Sequence, residues 1–130
     1  REVFYDATKI AFMPMGFCYP GRNKKGGDLP PRQVCAPLWH SRILALLPQV
    51  KLTLLVGRYA QDYYLKKGTQ LTLATTVHDF EPGSPWIALP HPSWRNNAWL
   101  KKNPWFEQSI LPQIRQQIHA LLQETLPFSK

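Results

Sequence analysis

The feature of the sequence that most limits its fold is an apolar run followed by a glycine and then a helical pattern. Residues 50–56 (VKLTLLV) predict a short strand, because β-branched and aliphatic side chains fit a pleated, half-buried surface. Gly57 permits a tight turn into residues 58–65, whose pattern is helical. After a loop at residues 82–85 (PGSP), residues 86–89 predict another strand. A strand, a glycine and a helix in this order indicate a parallel α/β unit.

Two segments nearer the N-terminus continue this alternation. Residues 9–17 (KIAFMPMGF) form an apolar run between polar flanks, which predicts a strand that bulges or ends at Pro14, since proline has no N–H group to donate. The next helix is expected to begin after Asp28, with Pro30 and Pro31 in its first turn, and to end near Leu47. An apolar stripe of that helix consists of Cys35, Trp39 and Ile43.

The C-terminal part of the chain is harder to divide. Residues 69–80 fit either a half-exposed strand or a helix, and periodicity leaves both open. Asn103 and Pro104 are a suitable N-cap and first-turn pair for a final helix. Pro112 should kink that helix, because the carbonyl of Gln108 loses its hydrogen-bond donor. The apolar stripe of the final helix consists of Phe106, Ile110, Ile114, Ile118 and Leu122.

Three predicted strands that alternate with helices imply a single α/β domain over residues 1–130, with a parallel sheet layered between helices. Ligands of such sheets bind beyond the carboxyl ends of the strands. Cys18 with Tyr19, Gly57, and residues 91–93 all follow predicted strand ends. We therefore expect these residues to share one edge of the sheet.

The charge of the chain favours a negatively charged partner. Sixteen Lys and Arg residues against eight Asp and Glu residues give a net charge of +8 and an isoelectric point near 9.8. Nucleic acid fits better than a membrane, since no apolar run approaches the ~20 residues of a spanning helix and no secretory signal is visible. Neither a GxxxxGK loop nor a GxSxG elbow occurs, which argues against the common nucleotide hydrolases and esterases. Because the sequence opens at Arg1 inside a charged, irregular stretch, we expect a segment of a longer polypeptide.

Residues 89–107 (LPHPSWRNNAWLKKNPWFE) place cationic and polar side chains between Trp94, Trp99 and Trp105. Such alternation suits a ligand with phosphates and stackable bases. Tryptophans near a helix start are also common core anchors, and Lys and Arg commonly form a solvated face, so composition leaves both interpretations open. The same choice applies to the loop at residues 19–28, where the exposed charges expected are Arg22, Lys24 and Lys25.

The order of these segments resembles the uracil-DNA glycosylase superfamily, in particular its iron-sulfur branch. His91-Pro92-Ser93 after a strand, followed by an Arg-Asn loop and a helix, is similar to the second signature of that family. The preceding segments GFCYPG, LPPRQVCAPLWHSRILALLP and the strand ending in Gly57 before RYAQDYYL match in order. The resemblance spans essentially the whole chain but corresponds to the later two-thirds of such an enzyme. It implies a three-layer α/β/α fold without its first strand, and a helix within residues 69–80.

The resemblance implies a DNA repair enzyme that flips uracil or a related damaged base and hydrolyses its N-glycosidic bond. In that role His91 donates a hydrogen bond to an oxygen of the leaving base, and Pro92 fixes the backbone beside it. Ser93 binds a phosphate next to the flipped nucleotide, while Arg95 and Asn96 enter or brace the DNA groove. The DNA-binding surface would be completed by Arg22, Lys24 and Lys25. The implied setting is the bacterial cytoplasm, in association with the nucleoid.

Cys18 and Cys35 resemble the later pair of ligands to the 4Fe-4S cluster of the iron-sulfur glycosylases. Such a cluster normally takes four thiolates, and the family's earlier Cys-x-x-Cys pair does not occur in these residues. Two free buried thiols are the plainer interpretation. A zinc site formed with His40 and His91 is a further one, although its spacing fits no standard pattern.

The chain also departs from the family. The first signature, a Gly-x-x-Pro-Gly loop whose acidic or amide residue handles the water, does not occur, since GFCYPG has one residue too many and no carboxylate. The asparagine that recognises uracil in related enzymes would fall near Pro14. Two other function classes therefore stay open: a non-catalytic nucleic-acid-binding module on the same scaffold, and a structural or protein-interaction domain with an incidental basic surface.

Overall fold

The structure, a computed structural model, describes residues 2–65 and 72–124. It divides into two compact units, Arg1–Val50 and Lys51–Lys130, which are described in turn. That residues 1–130 form a single domain stays a prediction. None of the helices in the described ranges has the length and apolar character needed to cross a membrane.

The first unit is built on one α-helix, α1 (Cys35–Ala45). It begins later than the predicted start near Pro30, and the reason is Pro37. A proline is tolerated only in the first turn, where N–H groups have no partner within the helix, so a helix starting at Pro30 would contain Pro37 as an interior breaker. Asp28, expected just ahead of that helix, instead pairs with Arg22 in an isolated antiparallel bridge.

The strand predicted at residues 9–17 is wrong, because the described backbone there is irregular. Its Pro14 carbonyl accepts a hydrogen bond from the side chain of His40, with 2.9 Å between Nε2 and the oxygen. His40 is almost completely buried, at 1% exposure, on the inward face of α1 beside Cys35 and Ala36. The predicted stripe holds for Cys35, whereas Trp39 is 46% exposed under the guanidinium of Arg42.

The second unit contains a parallel pair of strands, β1 (Thr53–Val56) and β2 (Trp86–Leu89). Their register runs from Thr53 opposite Trp86 to Val56 opposite Leu89. α2 (Arg58–Leu65) follows β1, and α3 (Leu73–His78) precedes β2. The predictions of α2, of β2 and of a helix within residues 69–80 are confirmed. Thus the described chain is mixed α/β with a parallel sheet of two strands rather than three. The layering of helices on both faces stays a prediction.

The core of the second unit lies where the sheet meets the helices. Leu55 of β1 and Ile87 of β2 are 2% and 1% exposed, and Val77 of α3 is fully buried. Burying one such side chain contributes about 1.5–3 kcal/mol. These contacts therefore stabilise the pairing of the two strands and fix where their carboxyl ends lie.

The chain beyond β2 is helical but interrupted. A 3-10 turn at Trp94–Asn96 leads into α4 (Asn97–Lys102), and a π-helical turn at Phe106–Ile110 leads into α5 (Leu111–Glu124). Pro112 is the second residue of α5, and because it lacks an N–H group the α-helical pattern cannot run through it from Phe106. The π-helical turn at Phe106–Ile110 therefore interrupts the final helix near Pro112, where the sequence predicted a kink. The apolar stripe is confirmed at Phe106 and Ile114, which are buried.

Candidate active site

The carboxyl edge of the sheet brings Gly57 and His91 together. The Gly57 N–H donates to the carbonyl of Leu89, the last residue of β2, at 2.9 Å. Gly57 has a φ of +84°, a left-handed conformation that favours glycine. A Cβ placed on Gly57 would lie 3.4 Å from Cδ2 and 3.5 Å from Cβ of His91. The side chain of His91 therefore lies directly against the turn that ends β1.

The loop that carries His91 is fixed through its backbone. The His91 carbonyl accepts the N–H of Ser93 at 2.8 Å and also the side-chain amide of Asn96. The N–H of Asn96 returns to the carbonyl of Ser93 at 2.8 Å. These bonds close a compact turn around Pro92, while the side chain of His91 remains exposed. An exposed imidazole on a fixed turn can donate a hydrogen bond to an oxygen of a bound ligand.

The tryptophans that follow His91 divide into two groups. Trp94 is 77% exposed, next to the His91 turn. Trp99 and Trp105 instead contact each other edge to face, with ring centroids 5.9 Å apart, and both contact Phe106. Trp99 and Trp105 are half-buried against the buried Phe106, which favours the interpretation of these two residues as packing anchors. Lys101 and Lys102 are exposed in the last turn of α4, where positive charge is favourable.

A comparison with protein-family models decides the family of the chain. The model described as the uracil DNA glycosylase superfamily matches residues 1–115. The chain belongs to the uracil-DNA glycosylase superfamily. The resemblance predicted from the sequence is confirmed at this level, and the parallel strand pair is consistent with the fold of the superfamily. Membership in the iron-sulfur branch stays a prediction.

In this superfamily protein, the predicted DNA-binding loop of the first unit is an ordered turn. The Asn23 N–H donates to the Gly27 carbonyl at 2.7 Å, and Oδ1 of Asn23 accepts the N–H of Lys25 at 2.8 Å. Lys24 and Lys25 are exposed at its tip. Arg22 lies 3.9 Å from a carboxylate oxygen of Asp28, and both side chains are largely exposed. An exposed pair of this kind is worth about 0–1 kcal/mol, so the Arg22 charge can still turn to another partner.

Cys18 and Cys35 both lie in the first unit and form no disulfide. Cys18 is exposed, and Cys35 is buried at the first residue of α1. Within the described residues, no group of three His, Cys, Asp or Glu side chains is placed to hold a metal ion. His40 is one of the residues considered as a zinc ligand. Its Nε2 carries a proton and donates it to the Pro14 carbonyl, because a carbonyl oxygen can only accept, so that nitrogen cannot also bind a metal. A cluster would therefore require further ligands besides Cys18 and Cys35.

The arrangement predicted for the edge of the sheet is present in the second unit, and one residue that bonds there was not predicted. The functional roles of the predicted residues stay predictions. Gly57 and His91 lie at the same carboxyl edge of the sheet, as predicted. Ser93 and Asn96 bond to the His91 carbonyl and hold the turn that carries His91. Arg95 lies in the 3-10 turn Trp94–Asn96. The missed residue is Gln61 of α2, which is 3% exposed and bonds to both strands. In the sequence Gln61 stands one helical turn after Gly57, on the face that also carries Leu65, but nothing there identifies the two carbonyls that it binds.

Proposed function

We propose that this protein is a DNA glycosylase that hydrolyses the N-glycosidic bond of uracil or a related damaged base after base flipping. The observation that supports the proposal most is the position of His91. It is an exposed imidazole on a backbone-fixed turn at the carboxyl edge of a parallel sheet, in a superfamily whose members are mostly glycosylase hydrolases. Base-excision repair in the bacterial cytoplasm, on nucleoid DNA, is the corresponding setting.

The proposed chemistry follows from the charge that develops during the reaction. As the glycosidic bond breaks, electron density moves onto the departing base, and a hydrogen-bond donor held at its oxygen stabilises that charge. His91 is the proposed donor. The bonds from Ser93 and Asn96 to the His91 carbonyl keep its backbone in place, so the donor needs little reorganisation during the reaction. Ser93 is also the proposed contact to the phosphate beside the flipped nucleotide, with Pro92 and Arg95 in the same loop.

DNA binding is proposed for the exposed cations. Lys101 and Lys102 end α4 in the second unit, and Lys24 and Lys25 lie at the tip of the ordered turn beside Arg22 in the first. With a net charge of +8 the chain is suited to phosphate contacts, whose strength falls steeply with salt. We also propose that helices cover both faces of the sheet.

The 4Fe-4S cluster is a separate proposal, and no step of the reaction is assigned to it. Cys18 and Cys35 supply two of the four thiolates such a cluster normally takes. The test is iron and acid-labile sulfide analysis of the full-length protein, purified without oxygen, beside Cys18→Ser and Cys35→Ser variants. Loss of iron in both variants supports ligation. Iron-free wild-type protein contradicts it.

The glycosylase proposal is tested by base release from uracil-containing single- and double-stranded oligonucleotides. The full-length protein is compared with His91→Ala and with His119→Ala, an exposed histidine of α5 that serves as the control. We expect His91→Ala to lose most of the activity and His119→Ala to retain it. Equal rates for wild type and His91→Ala would remove His91 from catalysis. Salt-sensitive DNA binding without base release from any damaged substrate would instead identify a non-catalytic DNA-binding module.

A further inference from the structure

Gln61 places a buried amide between the two strands below the candidate site. Its Nε2 donates to the carbonyl of Leu55 in β1 at 3.1 Å and to the carbonyl of Leu89 in β2 at 2.8 Å. An amide nitrogen carries two hydrogens, so these bonds use its full donor capacity. Gln61 is 3% exposed, and no buried polar side-chain atom of the described residues lacks a partner. One side chain of α2 thus bridges β1 and the last residue of β2.

The Leu89 carbonyl connects Gln61 to the candidate site, because Leu89 lies two residues before His91. It accepts Nε2 of Gln61 and also the N–H of Gly57, so both of its lone pairs are engaged. A carbonyl held from two directions fixes the plane of the peptide bond that follows it. That peptide bond leads to Pro90, whose ring restricts φ, and the next residue is His91. The backbone therefore has little freedom between the Gln61 contact and His91.

We propose that Gln61 is a positioning residue for His91. Its amide sets the direction in which the chain leaves β2, and Gly57, held by the same carbonyl, provides the surface against which the imidazole rests. The inference rests on the proposed glycosylase function for its catalytic consequence. Its structural content, the orientation of His91, stands independently of that function.

The chemistry of the side chain explains why a glutamine is needed. Leucine has a similar size but donates nothing, so Gln61→Leu leaves the Leu89 carbonyl with the Gly57 bond alone. In Gln61→Glu an ionised carboxylate would face two carbonyl oxygens, which is unfavourable, whereas the protonated form can donate one hydrogen bond. Burial raises the pKa of a carboxyl group. The positioning role therefore predicts that Gln61→Glu is partly restored as the pH falls.

The chain offers a matched control in Gln117 of α5. Its amide also bridges backbone groups, since Nε2 donates to the Ser84 carbonyl at 2.8 Å and Oε1 accepts the N–H of Gly83 at 3.3 Å. These groups precede β2 and lie at the end of the strand away from His91. Gln117→Leu removes a bridge of the same kind from a half-buried side chain, without touching the exit from β2. It reports the effect of general destabilisation when its rate is compared with that of Gln61→Leu relative to the measured loss of stability.

The experiment uses the full-length protein as wild type, Gln61→Leu, Gln61→Glu and Gln117→Leu. Single-turnover base release at saturating uracil-containing DNA, DNA affinity and thermal stability are measured for each. The imidazole Hε1 and backbone amide signals of His91 are followed by NMR. We expect Gln61→Leu to lower the rate about 10- to 100-fold, as for a misplaced catalytic group, with unchanged affinity and shifted His91 signals. Gln117→Leu should keep both the rate and the signals, and the ratio of Gln61→Glu to wild-type rates should rise towards low pH.

Two results would overturn the inference. One is a Gln61→Leu variant with wild-type His91 signals. The other is an equal loss of rate in Gln61→Leu and Gln117→Leu that follows their loss of stability. If the wild-type protein releases no base, the glycosylase proposal fails, and the His91 signals still decide whether Gln61 positions that residue.

Discussion

Asn96 donates its side-chain amide to the backbone carbonyl of His91, five residues earlier in the chain. The sequence predicted Asn96 as a residue that enters or braces the DNA groove. The bond gives it a role within the protein, because it holds the turn from which the His91 side chain projects. Under the proposed glycosylase function the two roles have different effects: a DNA contact would contribute to affinity, and a brace for His91 would contribute to the rate of base release.

Asn96→Ala tests which role dominates. We expect stability to fall by about 0.5–1.5 kcal/mol, as for one lost hydrogen bond, and the single-turnover rate to fall with little change in DNA affinity. Asn97→Ala, an exposed neighbour at the first residue of α4, is the control. A large loss of affinity at an unchanged rate would assign Asn96 to the DNA contact instead.

Alanine substitutions at Gly57 and Gly83 separate the effect of the contact with His91 from the effect of backbone strain. Their φ angles are +84° and +85°, so an alanine at either position costs about 1–2 kcal/mol. An added Cβ at Gly83 meets no atom of the described chain within 4 Å, whereas at Gly57 it meets the ring and Cβ of His91. The Cβ at Gly57 is in ordinary van der Waals contact with His91, so the ring is displaced only when the backbone shifts to relieve the strained φ. We expect similar losses of stability in Gly57→Ala and Gly83→Ala, measured by urea unfolding, but a reduced rate only in Gly57→Ala, where that shift moves the surface under His91. Equal rates would show that the contact with His91 is unimportant.

The elements that the sequence predicted well are those specified by nearby residues. α2 and β2 follow from a glycine turn and from a short apolar run between loop signals, and both have the predicted bounds. The unpredicted features depend on distant contacts. Gln61 would be expected on a solvated face, and only the folded chain brings the Leu89 carbonyl, 28 residues away, to its amide. His91 was therefore predictable as a candidate from its motif, and Gly57 from its place after β1, whereas the bond from Gln61 to the Leu89 carbonyl was not.

Residues 9–17 illustrate the same limit. Their apolar composition is typical of a strand, but the Pro14 carbonyl is satisfied by a histidine 26 residues away rather than by a neighbouring strand. A single sequence gives no signal for such a bond. The start of α1 could have been predicted better, because Pro37 must lie in the first turn of any helix that contains it.

Asp6 provides a pH-dependent test of the first unit. Hydrogen bonds from Thr8 and Lys9 to the ionised carboxylate lower the pKa of Asp6 from 3.8 to about 2. Because the folded-state pKa is depressed, the stabilisation is fully present above the unfolded value and is lost as the pH falls towards 2. We expect the amide signal of Thr8, whose N–H donates to Oδ1 of Asp6 at 3.0 Å, to titrate with a midpoint near that pKa. In Asp6→Asn this titration should disappear, and a Thr8 midpoint near 3.8 in the wild type would contradict the geometry.

His40 is the buried polar residue on which the irregular segment of the first unit depends. Its Nε2 donates to the Pro14 carbonyl at 2.9 Å, and its ring meets Phe17 edge to face with centroids 5.9 Å apart. His40→Phe preserves an aromatic ring but removes the donor, which leaves the Pro14 carbonyl without this bond and should cost about 1–3 kcal/mol. We expect faster proteolysis within residues 9–17 and a lower urea midpoint, with Ser41→Ala, an exposed neighbour, as the control. Wild-type stability in His40→Phe would mean that ring packing, rather than the hydrogen bond, holds residues 9–17.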